Sequence, residues 1–126
     1  KNMTAFKFND NNITINLLGE EYTADVTLAE VEISAAKRRL IEFSQKIEGG
    51  FAQADEIADN IASTMQSIDA AFGKGSAKKI FKDRRVSLHD CNDIVFYIFA
   101  RLNEFEADKA KLYENYGKNR EQRRSK

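Results

Sequence analysis

Apolar residues recur at alternating intervals of three and four along most of this chain. Residues at these intervals share one face of an α-helix, so each run forms an apolar stripe along a predicted helix. The first stripe consists of Ala29, Ile33, Ala36, Leu40, Phe43 and Ile47. The second consists of Phe51, Ala54, Ala58, Ile61, Met65, Ile68 and Phe72. The third consists of Leu88, Cys91, Val95, Ile98, Leu102 and Phe105, followed by Leu112 and Tyr116. The pattern predicts helices that pack against other helices.

Capping residues and glycines predict where these helices begin and end. Thr27 and Glu30 have the spacing of a capping box, and Ser87 and Asp90 form a similar pair. Gly49-Gly50, Gly73 and Gly117 are expected to stop helices, because glycine adopts the left-handed backbone at helix ends. A short helix is expected after Ser76, which we predict to cap it. The predicted helices cover residues 28–48, 51–72, 77–81 and 88–116.

Residues 4–26 alternate between apolar and polar side chains instead. Alternation with a period of two is typical of strands that have one buried face. The alternation has three parts, which contain Phe6 and Phe8, then residues 13–17, then residues 22–26. Turns are expected at residues 9–12 and near Gly19. The segment therefore predicts a three-stranded antiparallel meander that needs a helix over its apolar face.

Together these elements predict a mainly helical α+β fold, with the small meander followed by three main helices and one short helix. Residues 1–117 are expected to form a single domain, since the chain has 126 residues. Residues 118–126 carry basic side chains and nothing apolar. We expect this basic tail to be disordered.

The net charge of zero conceals an asymmetry between the two parts of the chain. Residues 1–72 contain 6 basic and 12 acidic side chains, whereas residues 73–126 contain 14 basic and 8 acidic ones. Opposite charges of this kind favour pairing of the two parts with each other or between copies. The last helix is also long for a compact globule of this size, so either the domain is elongated or the end of the helix packs on a second copy. We therefore expect a homo-oligomer.

No set of residues in the sequence predicts catalysis, a metal site or a cofactor. His89 is the one histidine, and we expect it to lie at the surface or to take part in a helix cap. Cys91 lies on the third stripe and is expected to be a buried thiol. One cysteine suits a reducing cytosol, and no apolar run is long enough to span a membrane. We expect a cytoplasmic protein that is not an enzyme.

The segment from Lys74 to Arg85, which we call the basic elbow, contains six basic residues and one acidic residue. Such a segment can bind an acidic partner or the phosphates of a nucleic acid. It can equally be a solvated connector between helices. The aromatic residues Phe72 and Phe81 are expected to anchor it to the core.

The stretch from Ile68 to Phe81, continued by Asp83-Arg84, resembles the "FGEGTAKKIFGDR"-like stretch of small tail assembly proteins from long-tailed phages and prophages of Gram-positive bacteria. The ending from Tyr116 to Arg124 is similar to their basic tails. The resemblance covers about a third of the chain. Lys82 and Arg85 make the elbow more basic than that pattern.

The resemblance implies a tail assembly chaperone. Such proteins coat the tape measure protein, keep it soluble, help to recruit tail tube subunits and are absent from the finished virion. They act in the cytoplasm of the infected or lysogenic host. A nucleic-acid-binding module and a structural phage protein are the alternatives. The candidate partner-binding residues are Phe96, Phe99, Lys78, Lys79, Arg84 and Arg85. The alternative for Phe96 and Phe99 is that they fill the core of the domain beneath the meander.

Overall fold

A computed structural model describes the backbone of residues 5–124 and side chains as far as Gly117. It contains a two-stranded antiparallel sheet followed by four helices. The strands are β1 (Asn12–Leu17) and β2 (Glu20–Asp25), and the helices are α1 (Val26–Glu48), α2 (Ala54–Phe72), α3 (Ser76–Phe81) and α4 (Leu88–Arg124). The predicted α+β class, with three main helices and one short helix, is confirmed.

The sheet is a hairpin in which Asn12 faces Asp25 and Leu17 faces Glu20. Its two-residue turn, Leu18-Gly19, has positive φ angles at both positions, which is the geometry that matches the twist of paired strands. One face of the hairpin is buried against the helices, as the alternation predicted. Its buried side chains are Ile15, Leu17, Tyr22 and Ala24.

The predicted third strand, which would contain Phe6 and Phe8, is not formed, so the meander is only a hairpin. Both rings are exposed and contact each other edge to face at 4.8 Å. The carbonyl of Asn11, just before β1, accepts a hydrogen bond from the amide of Val26, just after β2, at 2.8 Å. Alternation shows that a segment could be a strand, but pairing requires a neighbouring strand and an apolar surface to cover. Residues 1–4 lie outside the described part.

Two of the three main helices, α1 and α2, begin at other caps than the sequence predicts. The Asp25 carboxylate accepts a hydrogen bond from the Leu28 amide, so α1 starts two residues before the predicted position. α2 starts at Ala54 and not at residue 51, because Gln53 and Glu56 form a capping box. An acidic side chain at the strand end is therefore a stronger cap here than Thr27, in agreement with the usual ranking.

The core lies between the hairpin and the helices, and it confirms most of the first and third stripes. The stripe of α1 is buried from Ala29 to Phe43, and that of α4 from Cys91 to Leu102. The second stripe is partly wrong: Phe51, Ala54 and Ala58 are exposed. The buried residues of α2 are Thr64, Ser67, Ile68 and Ala71.

Two buried hydroxyl groups explain why the buried face of α2 differs from the predicted stripe. Thr64 donates to the Asn60 carbonyl at 2.8 Å, and the Ser67 hydroxyl accepts a hydrogen bond from the Arg39 guanidinium at 2.7 Å. A buried polar group carries little cost once it is hydrogen-bonded. The face of α2 that packs on the core could therefore include polar residues that a search for apolar spacing does not select.

α1 and α4 pack antiparallel. Glu30 on α1 is hydrogen-bonded to Glu106 on α4, and seven residues further along α1 the Lys37 ammonium lies 3.9 Å from the centre of the Phe99 ring. Residues later in α1 therefore contact residues earlier in α4. By this register, the start of α1 lies near residue 110 of α4.

The Glu30–Glu106 pair predicts a pH-dependent stability. The shared hydrogen bond, burial and the neighbouring charge raise the pKa of Glu30 from 4.5 to about 7. A raised pKa in the folded state stabilises the protein below pH 4.5, and this contribution is lost as the pH rises through 7. We expect Glu30→Gln to remove this loss when urea unfolding is measured between pH 5 and 8.

Glu42→Gln, an exposed position on the same helix, is the control for this measurement. It should leave the slope of unfolding free energy against pH unchanged. The same slope in Glu30→Gln as in the unaltered protein would contradict the proton-sharing pair.

α4 does not stop at Gly117 as predicted, because the helix continues to Arg124. The expectation that residues 118–126 form a disordered tail stays a prediction. Its 37 residues span ~55 Å at ~1.5 Å per residue. A glycine in a helix costs only ~1 kcal/mol relative to alanine, and no proline follows to break the helix. Residues 125 and 126 lie outside the described part.

Candidate functional site

The basic elbow is fixed to the core through the apolar face of α3. Ala77, Ile80 and Phe81 are buried, and the Phe72 ring packs against Tyr22 of the hairpin with its centre 6.2 Å away. The prediction that Phe72 and Phe81 are core anchors is confirmed. The lysines of the elbow consequently face solvent.

Ser76 does not cap α3, contrary to the prediction. It is the first helical residue, and Gly75 precedes it in the left-handed conformation. The Asp69 carboxylate of α2 accepts a hydrogen bond from the Ala77 amide at 2.8 Å and so takes the place of a local cap. α2 therefore positions α3 directly.

Three polar side chains fix the entrance to α4. The Asp90 carboxylate accepts a hydrogen bond from the Ser87 amide at 3.0 Å, and the Asp90 amide donates to the Ser87 hydroxyl at 3.1 Å. The predicted box is confirmed. Arg84 donates two further hydrogen bonds to the same carboxylate, at 2.8 and 2.9 Å. The Arg84 guanidinium and the amide of Ser87 hold the pKa of Asp90 well below its usual range.

A groove lies between the hairpin turn, α3 and the first half of α4. It has a volume of about 690 Å³. Its apolar lining consists of Leu17, Leu18, Ile80, Phe81, Ile94 and Tyr97. The polar residues Asn16, Lys82, Arg84, Asp90 and Asp93 complete the lining. An apolar concavity with a few polar groups is the usual form of a binding site.

Leu18 is the most unusual residue of this groove. Its backbone has φ +57°, which is uncommon for a leucine, and its side chain is 79% exposed. Asparagine or glycine is preferred at this position of such a turn. A strained, exposed apolar residue is a reason to look for a binding role, since it stabilises neither the turn nor the core.

The predicted partner-binding aromatics lie on a different face of α4 from the groove. Phe99 is half-buried and packs against the core, whereas Phe96 is 40% exposed. The Lys37 ammonium lies 3.9 Å from the centre of the Phe99 ring and 5.7 Å from that of Phe96. These two rings therefore face α1, and Tyr97 faces the groove.

The four predicted basic residues have different surroundings. Arg84 lines the groove and is paired with Asp90, and the Lys79 ammonium lies 3.6 Å from the Glu20 carboxylate. Lys78 and Arg85 are exposed, and within the described residues neither makes an ion pair.

The described residues contain little else on which chemistry could be built. Cys91 is fully buried, as predicted, and burial raises the pKa of its thiol. His89 is exposed on the first turn of α4. Across the described residues, no three histidine, cysteine, aspartate or glutamate side chains lie close enough to hold a metal ion. None of the helices described is both long enough and apolar enough to cross a membrane.

The model of a protein family described as "Family of unknown function (DUF6673)" matches residues 16–126. The chain belongs to the DUF6673 family. No curated protein and no solved structure matches it. The DUF6673 match starts inside β1 and includes every residue that lines the groove.

Sequence reasoning missed most of this groove in the DUF6673 chain. Tyr97 lies off the third stripe and is not among the candidate residues, and the sequence predicts only a turn near Gly19 where Leu18 lies. A signal was present at Leu18, because an apolar residue before Gly19 is unusual where a hairpin reverses.

Proposed function

We propose that this protein is a tail assembly chaperone that binds an apolar helical segment of a phage tape measure protein in the groove. The observation that supports the proposal best is the open apolar groove with Leu18 and Tyr97 exposed at its edge. Amphipathic helices commonly bind in grooves of this kind. The choice of partner rests on the resemblance of the elbow to tail assembly proteins.

The groove is suited to holding a client without chemistry. Its apolar lining provides the surface for a client that would otherwise aggregate, and the Arg84–Asp90 pair keeps the elbow and α4 in place. Recruitment of tail tube subunits and action in the host cytoplasm belong to the same proposal. A tape measure gene directly beside the gene for this protein would support it.

The binding test uses the full chain, co-expressed with the tape measure protein. We expect the soluble fraction of the tape measure protein to fall when Tyr97 is replaced by glutamate. Phe96→Glu is the matched control, since Phe96 is the next residue on α4 but faces α1. Loss of capture with Phe96→Glu and not with Tyr97→Glu would place the client on the surface formed by Phe96 and Phe99. That result would contradict the groove as the client-binding site.

Leu18→Asn separates binding from folding. Asparagine suits the left-handed position of the turn, so the melting temperature should stay the same or rise. Client capture should nevertheless fall, because the apolar edge of the groove is lost. A variant that captures the client as well as the unaltered protein would show that Leu18 has no part in binding.

The exposed Lys78, Lys82 and Arg85 support nucleic-acid binding as a second candidate function. Binding through phosphates weakens steeply with salt, because each neutralised phosphate releases counterions. Filter binding of DNA at rising salt, with Lys78→Glu and Arg85→Glu, tests this function. A structural subunit would instead remain in purified particles, whereas a chaperone would be absent from them.

A further inference from the structure

The two ends of the helical layer expose apolar residues and carry opposite charge. We propose that the C-terminal end of α4 in one copy binds the connection between α1 and α2 in the next copy, so that copies assemble head to tail. The first surface, residues 111–124, is called the extension. The second, residues 46–59, is called the tip. This assembly is independent of the proposed client.

The register of α1 and α4 places these two surfaces at opposite ends of the molecule. Glu30 is level with Glu106 and Lys37 with Phe99, so residue 48 lies level with the first turn of α4. By the same register, residues 111–124 pass beyond the start of α1 by ~21 Å. A copy therefore cannot join its own extension to its own tip.

The extension exposes an apolar stripe to solvent. Tyr113 and Tyr116 are each 70% exposed, and Leu112 is also exposed. Leu112 lies one position before Tyr113 and four positions before Tyr116, so the three side chains lie on adjoining parts of one helix face. A projecting helix of this length is only marginally stable in water on its own, so packing on a neighbour would stabilise it.

The tip presents a complementary apolar surface. Phe51 is 73% exposed, and Ile47, Ala54 and Ile57 are exposed around it. The Phe51 amide donates to the Lys46 carbonyl at 2.9 Å, which holds this residue in the connection. The exposed half of the second apolar stripe thus acquires a partner in the assembly.

The two surfaces have opposite net charges. The tip contains four acidic residues and one basic residue, a net charge of −3, and its Lys46 is paired with Glu56 at 2.5 Å. The extension contains five basic and two acidic residues, a net charge of +3. Opposite potentials favour this pairing over contacts between two tips or two extensions.

The two surfaces differ, so their contact is heterologous and leaves one free surface at each end of a dimer. Sedimentation velocity in ~50 mM salt should show a series of oligomers that grows with protein concentration. The dissociation constant should rise at least ~10-fold in ~500 mM salt, because screening weakens the attraction.

Two blocked variants provide the decisive test. Phe51→Lys with Asp55→Lys blocks the tip, and Tyr113→Glu with Tyr116→Glu blocks the extension. Each variant alone should be monomeric, but a 1:1 mixture should form a discrete heterodimer, since one intact tip meets one intact extension. All four positions are exposed, and circular dichroism melts check that both variants fold.

Leu18→Glu is the control, because Leu18 is exposed but lies in neither surface. It should assemble normally even where client capture is lost, which separates this proposal from the proposed function. Dimers formed by the tip-blocked variant alone would show pairing between extensions, and dimers of the extension-blocked variant alone would show pairing between tips. Either result, or an unaltered protein that stays monomeric at high micromolar concentration, would overturn head-to-tail assembly.

Discussion

Ile98→Ala is expected to lower the free energy of unfolding by ~2–5 kcal/mol, because it leaves a cavity at a fully buried position of α4. Small domains are stable by only about 5–15 kcal/mol, so this loss is a large fraction of the total. Urea unfolding followed by circular dichroism measures it directly.

Asn103→Ala is the matched control for Ile98→Ala, since Asn103 is exposed on the same helix. It should change the unfolding free energy by less than ~0.5 kcal/mol. A loss below ~1 kcal/mol for Ile98→Ala would contradict the packing of α4 between α1 and the other elements.

Phe81→Ala, in the elbow, is expected to have an effect of similar size. The free energy of unfolding should fall by ~3–5 kcal/mol if the whole domain must unfold to expose this ring. Phe81 is buried and also lines the groove, so the same change should reduce client capture. Hydrogen exchange measures whether protection is lost in α3 alone or throughout the helices.

Lys82→Ala, an exposed neighbour of Phe81, should leave the unfolding free energy within ~0.5 kcal/mol. If Phe81→Ala alters neither stability nor exchange in α3, then the elbow is not held by this ring. Exchange confined to α3 would show that the elbow unfolds locally and that the loss is smaller than the global figure.

The groove is the candidate surface for the proposed function, and the resemblance of the elbow suggests the candidate partners. The groove and the head-to-tail contact involve different residues, so one molecule could bind a client and a second copy together. The basic elbow contributes to the groove mainly by holding α3 and α4 in position through Phe81, Arg84 and Asp90. Lys78 and Arg85 remain predicted partner-binding residues that only the salt-dependence measurements test.

Much of the fold follows from the sequence because its signals are local. The stripes of α1 and α4 predicted their buried faces, and Ser87 and Asp90 predicted the start of α4. Helix periodicity and capping depend on residues within one or two turns, so a single sequence contains them. The turn at Gly19 is predictable for the same reason.

What the sequence could not show depends on contacts between distant residues. Whether Phe6 and Phe8 form a strand, and which half of the α2 stripe is buried, depends on the surfaces that other elements present. The groove joins Leu18 to Tyr97, which lie far apart along the chain, so only the tertiary structure brings them together. The sequence by itself therefore determined the helices, the hairpin turn and the charge asymmetry, because propensity and charge belong to individual residues. Only packing decided which apolar residues were left exposed.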